Sequence, residues 1–276
     1  MANPLVRHRR RKADSSLKRD SESLIELDRV SKRYSLPARG KIRPERLDGN
    51  GRLIALEQVS FELYDGDSLG VVGANGAGKS TLLRIIAGVS APSAGTVRVQ
   101  QPVVSVLTLQ AGLDVRSTGR QRVWAFGTLM GLSAFEIEYS FDHIVDFSGV
   151  GEFIDQPVST YSPGMAARLA FSVALQLRAP VYIIDELLGT GDPAFQERAT
   201  RAMLHKIGQG SVAVVASHSI ATLATLCNKA LWLDKGRVMS IGPLDEVFAH
   251  YQSATGHPGG GISFADRVRA TKKLGA

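Results

Sequence analysis

The stretch Gly73-Ala74-Asn75-Gly76-Ala77-Gly78-Lys79-Ser80-Thr81 constrains this chain more than any other. It fits the pattern G-x-x-x-x-G-K-[ST] at every fixed position. The apolar run Ser68–Val72 before it predicts a buried strand, and Thr81–Ala87 after it predicts a helix. Strand, small-residue loop and helix in that order build a seat for phosphate. Small residues let backbone N–H groups curl around phosphate oxygens where a side chain would clash. The positive end of the helix dipole then meets the negative charge. On this reading Lys79 reaches the outer phosphates and the Ser80 hydroxyl holds Mg²⁺. The bland alternative is a glycine-rich turn before an ordinary helix. Strand, full motif and helix together count against it.

Two further apolar runs, Val181–Ile184 and Val212–Ala216, have the character of buried parallel strands. The first ends in Asp185-Glu186, 112 residues after the loop begins. That pair supplies the second half of a nucleotide hydrolase site. Asp185 would bind Mg²⁺, directly or through water, and Glu186 would orient or deprotonate the attacking water. Adjacent carboxylates at a strand end point in different directions and can divide those roles. Without the phosphate loop, two acidic residues opening a helix would be the simpler reading.

The rest of the chain supplies a scaffold for these parts. Leu24–Tyr34 predicts a first strand, Val59–Leu63 a half-buried second one, and Thr96–Gln100 another after a turn at Pro92–Gly95. Gly88 is placed to close the helix after the loop. From Gly119 to about Leu177 the period turns helical, with Phe141, Ile144, Val145 and Phe147 on one face and Leu169, Val173 and Leu177 on another. Ala230–Leu233 and Arg237–Ile241 flank Asp234-Lys235-Gly236 as a hairpin. No window approaches the ~20 apolar residues of a membrane span. The single cysteine, Cys227, cannot form an internal disulfide and fits a reducing compartment.

Charge is unevenly placed. The chain is net +7, yet residues 1–22 carry seven basic against three acidic residues, 35–52 five against two, and 254–276 four against one. The remainder is mildly acidic. Residues 1–22, with Arg7, Arg9, Arg10, Arg11 and Lys12, read as a disordered tail suited to an anionic membrane surface. A nucleic acid backbone would attract the same charges.

Taken together, the motifs resemble the ATP-binding cassette (ABC) ATPases, over residues 24 to about 250. Tyr161-Ser162-Pro163-Gly164-Met165 stands where that family carries its signature, usually Leu-Ser-Gly-Gly-Gln, and begins 24 residues before Asp185. Ser162 suits a helix N-cap and Pro163 the first helical position. The resemblance implies that this helix end meets the γ-phosphate held by an opposite subunit. Pro163 lacks one N–H that glycine would offer, and Met165 cannot hydrogen-bond as glutamine does. The contact would therefore rest on Ser162 and Gly164. The resemblance further implies a γ-phosphate-sensing histidine at His218, a subunit-coupling loop at Asp192, an adenine-stacking aromatic at Tyr34, and a Mg²⁺-sensing glutamine at Gln110.

The motif Tyr161–Met165 with Arg168, the segments Thr118-Gly119-Arg120 and Phe153–Val158, and Gly191–Gln196 resemble the branch that serves polysaccharide exporters of O-antigen, capsule or teichoic acid. That branch usually reads Thr-Gly-Arg-Glu-Asn where this chain reads Thr118-Gly119-Arg120-Gln121-Arg122. Some members add a carbohydrate-binding domain, for which the residues after Tyr251 are too few.

The expected fold is α/β: a P-loop NTPase of the ABC type, with a mixed sheet core, an antiparallel β subdomain and an inserted helical subdomain at about 119–177. Residues 23–252 would form the nucleotide-binding domain, between basic tails at 1–22 and 253–276. The implied cofactors are ATP and Mg²⁺. The implied partners are a second copy, a membrane permease and a lipid-linked glycan, at the cytoplasmic face of the inner membrane, with no nucleic acid. Two rivals stay open: an exporter of a drug, lipid or ion, and a soluble non-transport cassette protein.

Overall fold

Three short runs, β3 (Ser68–Val72), β6 (Val181–Asp185) and β7 (Val212–Ala216), are apolar on both faces, and that pattern demands a sheet covered on both sides. In a computed structural model, which describes residues 22–35, 46–105, 116–185, 192–217 and 219–255, they form such a sheet. Every residue of β3 and β7 is buried. With β5 (Val103–Ser105), β8 (Lys229–Asp234) and β9 (Arg237–Pro243) they make six strands in the order β5-β6-β7-β3-β8-β9. The first five are parallel, and β9 returns antiparallel to β8. A second sheet, β2-β1-β4, is antiparallel throughout and comprises β1 (Ile25–Tyr34), β2 (Leu53–Leu63) and β4 (Ala94–Val99).

Helix α1 (Lys79–Ile86) lies between the two sheets. Its Leu82, Leu83 and Ile86 join Leu27, Val59, Leu69 and Val214 in one apolar cluster. Gly88 closes it as expected, its N–H donating to Ile85 O and the next N–H, of Val89, to Arg84 O. The opposite face of the large sheet carries a second cluster, built from α2 (Gly119–Leu129), α3 (Ala134–Ser148), α4 (Pro163–Ala174) and α5 (Pro193–Gly208). Two more helices complete the described chain: α6 (Ile220–Leu226), packed on β3, and α7 (Leu244–Thr255), packed on β8 and β9.

The helical segment is specified by its caps. Both α2 and α3 open with a complete capping box. Thr118 Oγ1 accepts from Gln121 N while the Gln121 side chain accepts from Thr118 N; Ser133 and Glu136 repeat the exchange. Gln121, at a position where the sequence departs from the exporter pattern, thus does the capping work of a glutamate. Arg120 pairs with Asp155 at 2.7 Å and lies over the Phe141 ring. Tyr161 donates its hydroxyl proton to Phe153 O at 2.7 Å, tying the two short 3-10 turns Gly151–Asp155 and Val158–Thr160 into the segment.

The structure departs from the sequence expectations in several places. The expected turn at Pro92–Gly95 gives way early, because β4 already begins at Ala94. Strand β2 starts at Leu53, six residues before the alternating stretch that announced it. Strand β5 and helices α5, α6 and α7 have no counterpart in the sequence expectations.

Phe195 ties α5 to the helical segment through edge-on contacts with Phe147 at 5.7 Å and Phe171 at 5.8 Å. It is 1% exposed. Phe195→Ala should therefore cost about 3–5 kcal/mol of stability. Denaturant unfolding will check this, as a lowered midpoint at unchanged slope.

Candidate functional site

Register places the site. Ala216 at the end of β7 pairs with Val71 of β3 on one side and with Asp185 of β6 on the other. The parallel strands therefore end together, and the carboxyl edge of the sheet holds the phosphate loop, Ser217 and Asp185 in a row. Two inter-strand spacings separate β3 from β6, roughly 10 Å. A crevice outside the carboxyl ends of parallel strands is where open α/β sheets bind ligands.

The loop itself is shaped by close backbone approaches. Gly73 has φ +149, and a Cβ there would lie 2.2 Å from Leu233 O. Gly78 has φ +115, and a Cβ there would lie 2.6 Å from Ala55 O. Neither position admits a side chain. Gly78 is also the N-cap of α1, and no side chain caps that helix. The first N–H groups of a helix have no intrahelical partners, so here they face the loop's mouth with the dipole behind them. Lys79 is buried to 7% exposure, and its Nζ donates to Gly73 O at 2.8 Å and Ala74 O at 3.3 Å. That bends the ammonium back over the loop. Asn75, Gly76, Ser80 and Thr81 line the same cavity, of about 280 Å³, and Tyr34 stands on its far wall. Lys32 Nζ lies 5.1 Å from the centroid of the Tyr34 ring.

The other candidate residues divide. Ser162 caps α4, its Oγ accepting from Met165 N at 3.2 Å, and Pro163 occupies the first helical position. Pro163 has no N–H and that of Met165 is taken, which leaves the Gly164 N–H as the donor at that helix end. Asp192 caps α5, its Oδ1 accepting from Ala194 N at 3.0 Å and Phe195 N at 3.2 Å. Ser217 Oγ accepts from Ser219 N at 3.0 Å, turning the chain at the end of β7. Glu186, His218 and Gln110 lie outside the described residues.

One cavity residue was missed by the sequence reading. Arg46 belongs to the basic stretch 35–52, whose sequence predicts a loop and peripheral charge. Its Nη2 donates to Gly76 O at 2.8 Å. Nothing local in the sequence announces a bond between residues thirty positions apart.

Residues 56–189 match the model of the ABC transporter family. The O-antigen export system ATP-binding protein RfbB of Klebsiella pneumoniae is 36% identical over 203 residues, covering 74% of this chain and 82% of that protein. A protein of the same description from Myxococcus xanthus is also 36% identical, with 77% of this chain and 49% of that longer protein covered. The teichoic acids export ATP-binding protein TagH of Lactococcus lactis subsp. lactis (strain IL1403) is 38% identical over 72% of this chain and 42% of its own length. The chain thus spans most of the first relative but only about half, or less, of the other two. Among solved structures, an ATP-binding subunit of an ABC transporter superposes with a TM-score of 0.69 at 22% identity, covering 91% of this chain and all of that one. The fold and the length of the match to the first relative lead to one conclusion: this chain belongs to the ABC transporter family of ATP-binding proteins.

Proposed function

We propose that this chain is the ATP-hydrolysing subunit that energises export of a lipid-linked polysaccharide through a separate membrane permease. The observation that carries hydrolysis is the uncapped N-terminus of α1 behind Lys79, on the same sheet edge as Asp185. The relatives named for O-antigen and teichoic acid export support the polysaccharide class. No helix among the described residues is long and apolar enough to cross a membrane, in keeping with a permease on another chain.

In this reading Tyr34 stacks the adenine. Gly73 to Thr81 wrap the phosphates, with Lys79 on the outer ones. The donor set suits Mg²⁺: the Ser80 hydroxyl at the cavity wall and the Asp185 carboxylate are hard oxygen ligands. Bound there, the ion would offset the charge that builds up on the transferred phosphoryl group. Glu186 aligns and deprotonates the attacking water, His218 senses the γ-phosphate, and Gln110 senses the ion. Ser162 and Gly164 complete the site of a second copy in a head-to-tail homodimer, and Asp192 couples the two sites. Residues 23–252 act as the nucleotide-binding domain, and the basic tails 1–22 and 253–276 lie outside it. The protein works at the cytoplasmic face of the inner membrane, where the tails meet anionic headgroups.

Two outcomes test the assignment. Glu186→Gln should keep ATP binding while hydrolysis falls by roughly a hundredfold or more, because the water loses its base and the phosphate contacts survive. A steady-state phosphate-release assay, with the permease present or absent, measures this; full turnover rejects the role. Lys79→Ala should lose both affinity and turnover, since the ammonium meets phosphate charge in the ground state and the transition state alike. Calorimetric titration of the folded variant reads the affinity, and an unchanged value counts against the lysine.

A further inference from the structure

The cavity carries a second cation beyond Lys79. Arg46 follows residues 36–45 and opens a small, well-braced turn. Leu47 bridges to Leu53, Asp48 N donates to Arg52 O at 2.9 Å, and Gly51 N donates to Asp48 O at 2.9 Å. The Asp48 carboxylate accepts from Asn50 N and Arg52 N, each at 2.9 Å, and pairs with Arg33 at 3.3 Å. Arg33 immediately precedes Tyr34. The turn is thus fixed to the same strand end that presents the proposed adenine platform.

From this brace the Arg46 guanidinium reaches across to the phosphate loop. Nη2 donates to Gly76 O at 2.8 Å, and a Cβ built on Gly76 would sit 3.4 Å from Nη1. Nε is buried and has no hydrogen-bond partner among the described residues. A guanidinium offers five N–H groups in a fixed fork. A buried donor without an acceptor is costly, more so when it belongs to a cation. The Arg46 side chain lines the cavity, so an oxyanion entering it meets a guanidinium not fully supplied with acceptors, whose fork matches phosphate oxygens two at a time.

We propose that Arg46 is a nucleotide-contacting residue, whose guanidinium donates to the phosphate chain of ATP while holding the outer side of the loop at Gly76. This rests on the reading of the cavity as an ATP site. Arg46 then does two things with one side chain. It orders the loop through Gly76 O, and it adds a second positive charge that favours nucleotides with more phosphates.

The test compares wild type, Arg46→Ala, Arg46→Gln and Arg46→Lys by calorimetric titration with ATP, ADP and adenosine at several salt concentrations. Arg46→Ala and Arg46→Gln should weaken ATP binding by on the order of ten- to a hundredfold. ADP should lose less, and adenosine nothing measurable. The salt dependence of ATP binding should become shallower in both neutral variants and persist in Arg46→Lys. Wild-type ATP affinity in Arg46→Ala overturns the inference. Equal losses for ATP and adenosine overturn it as well, because a strut that only shapes the cavity would weaken both alike. A wild-type protein that binds no ATP overturns the ATP site itself, and with it this inference.

Discussion

The fold depends on a backbone clasp under the phosphate loop. Gly236, in the turn between β8 and β9, donates its N–H to Ala77 O at 2.8 Å and accepts from Glu57 N at 2.8 Å. One residue thereby joins the loop, the large sheet and the small sheet. Gly73 and Gly78 press against Leu233 O and Ala55 O on either side of it. Main-chain contacts of this kind cannot adjust by changing rotamer, so the loop keeps its shape only while both sheets keep theirs. The two apolar clusters, one on each face of the large sheet, hold that arrangement from outside.

From this clasp the chemistry spreads along one edge. The parallel register of β3, β7 and β6 brings chain ends together that are over a hundred residues apart in sequence. The helical segment packs on one face of the large sheet and presents the Ser162 end of α4. Its apolar residues share one cluster with Val72, Tyr182, Ile184 and Val215 of the large sheet, and Phe195 of α5 stands edge-on to its Phe147 and Phe171.

Much of this was legible in the sequence, for identifiable reasons. The phosphate loop was plain because its chemistry demands fixed residues at fixed spacing. β6 and β7 were plain because a strand covered on both faces reads as an unbroken apolar run. The Ser162-Pro163 helix start was plain because cap and first position each have strong preferences. What escaped was carried by distant partners, by short elements, or by helices beyond the 119–177 stretch, the 16-residue α5 among them. β5 has three residues, too few to show a period. In α7, Leu244, Val247, Phe248 and Tyr251 do follow helical spacing, but the reading stopped at the hairpin before it. Arg46 was seen as one charge in a basic loop because its partner is a carbonyl thirty residues away.

The two capping boxes of the helical segment close with different side chains, and that difference sets how each box meets acid. The α3 box closes with a carboxylate, and the Ser133 hydroxyl and N–H hold Glu136 below the usual carboxylate range. Such a group stabilises the fold above its unfolded value and stops doing so as pH falls through its lowered folded value. The α2 box closes with the Gln121 amide, which has no proton to gain. On acidification the α3 box loses the charge on one of its two arms, while the α2 box is unchanged. The substitution that sets this chain apart from the exporter pattern therefore leaves the Thr118 box itself insensitive to acid, and the acid-sensitive contact of that helix is the Arg120–Asp155 pair.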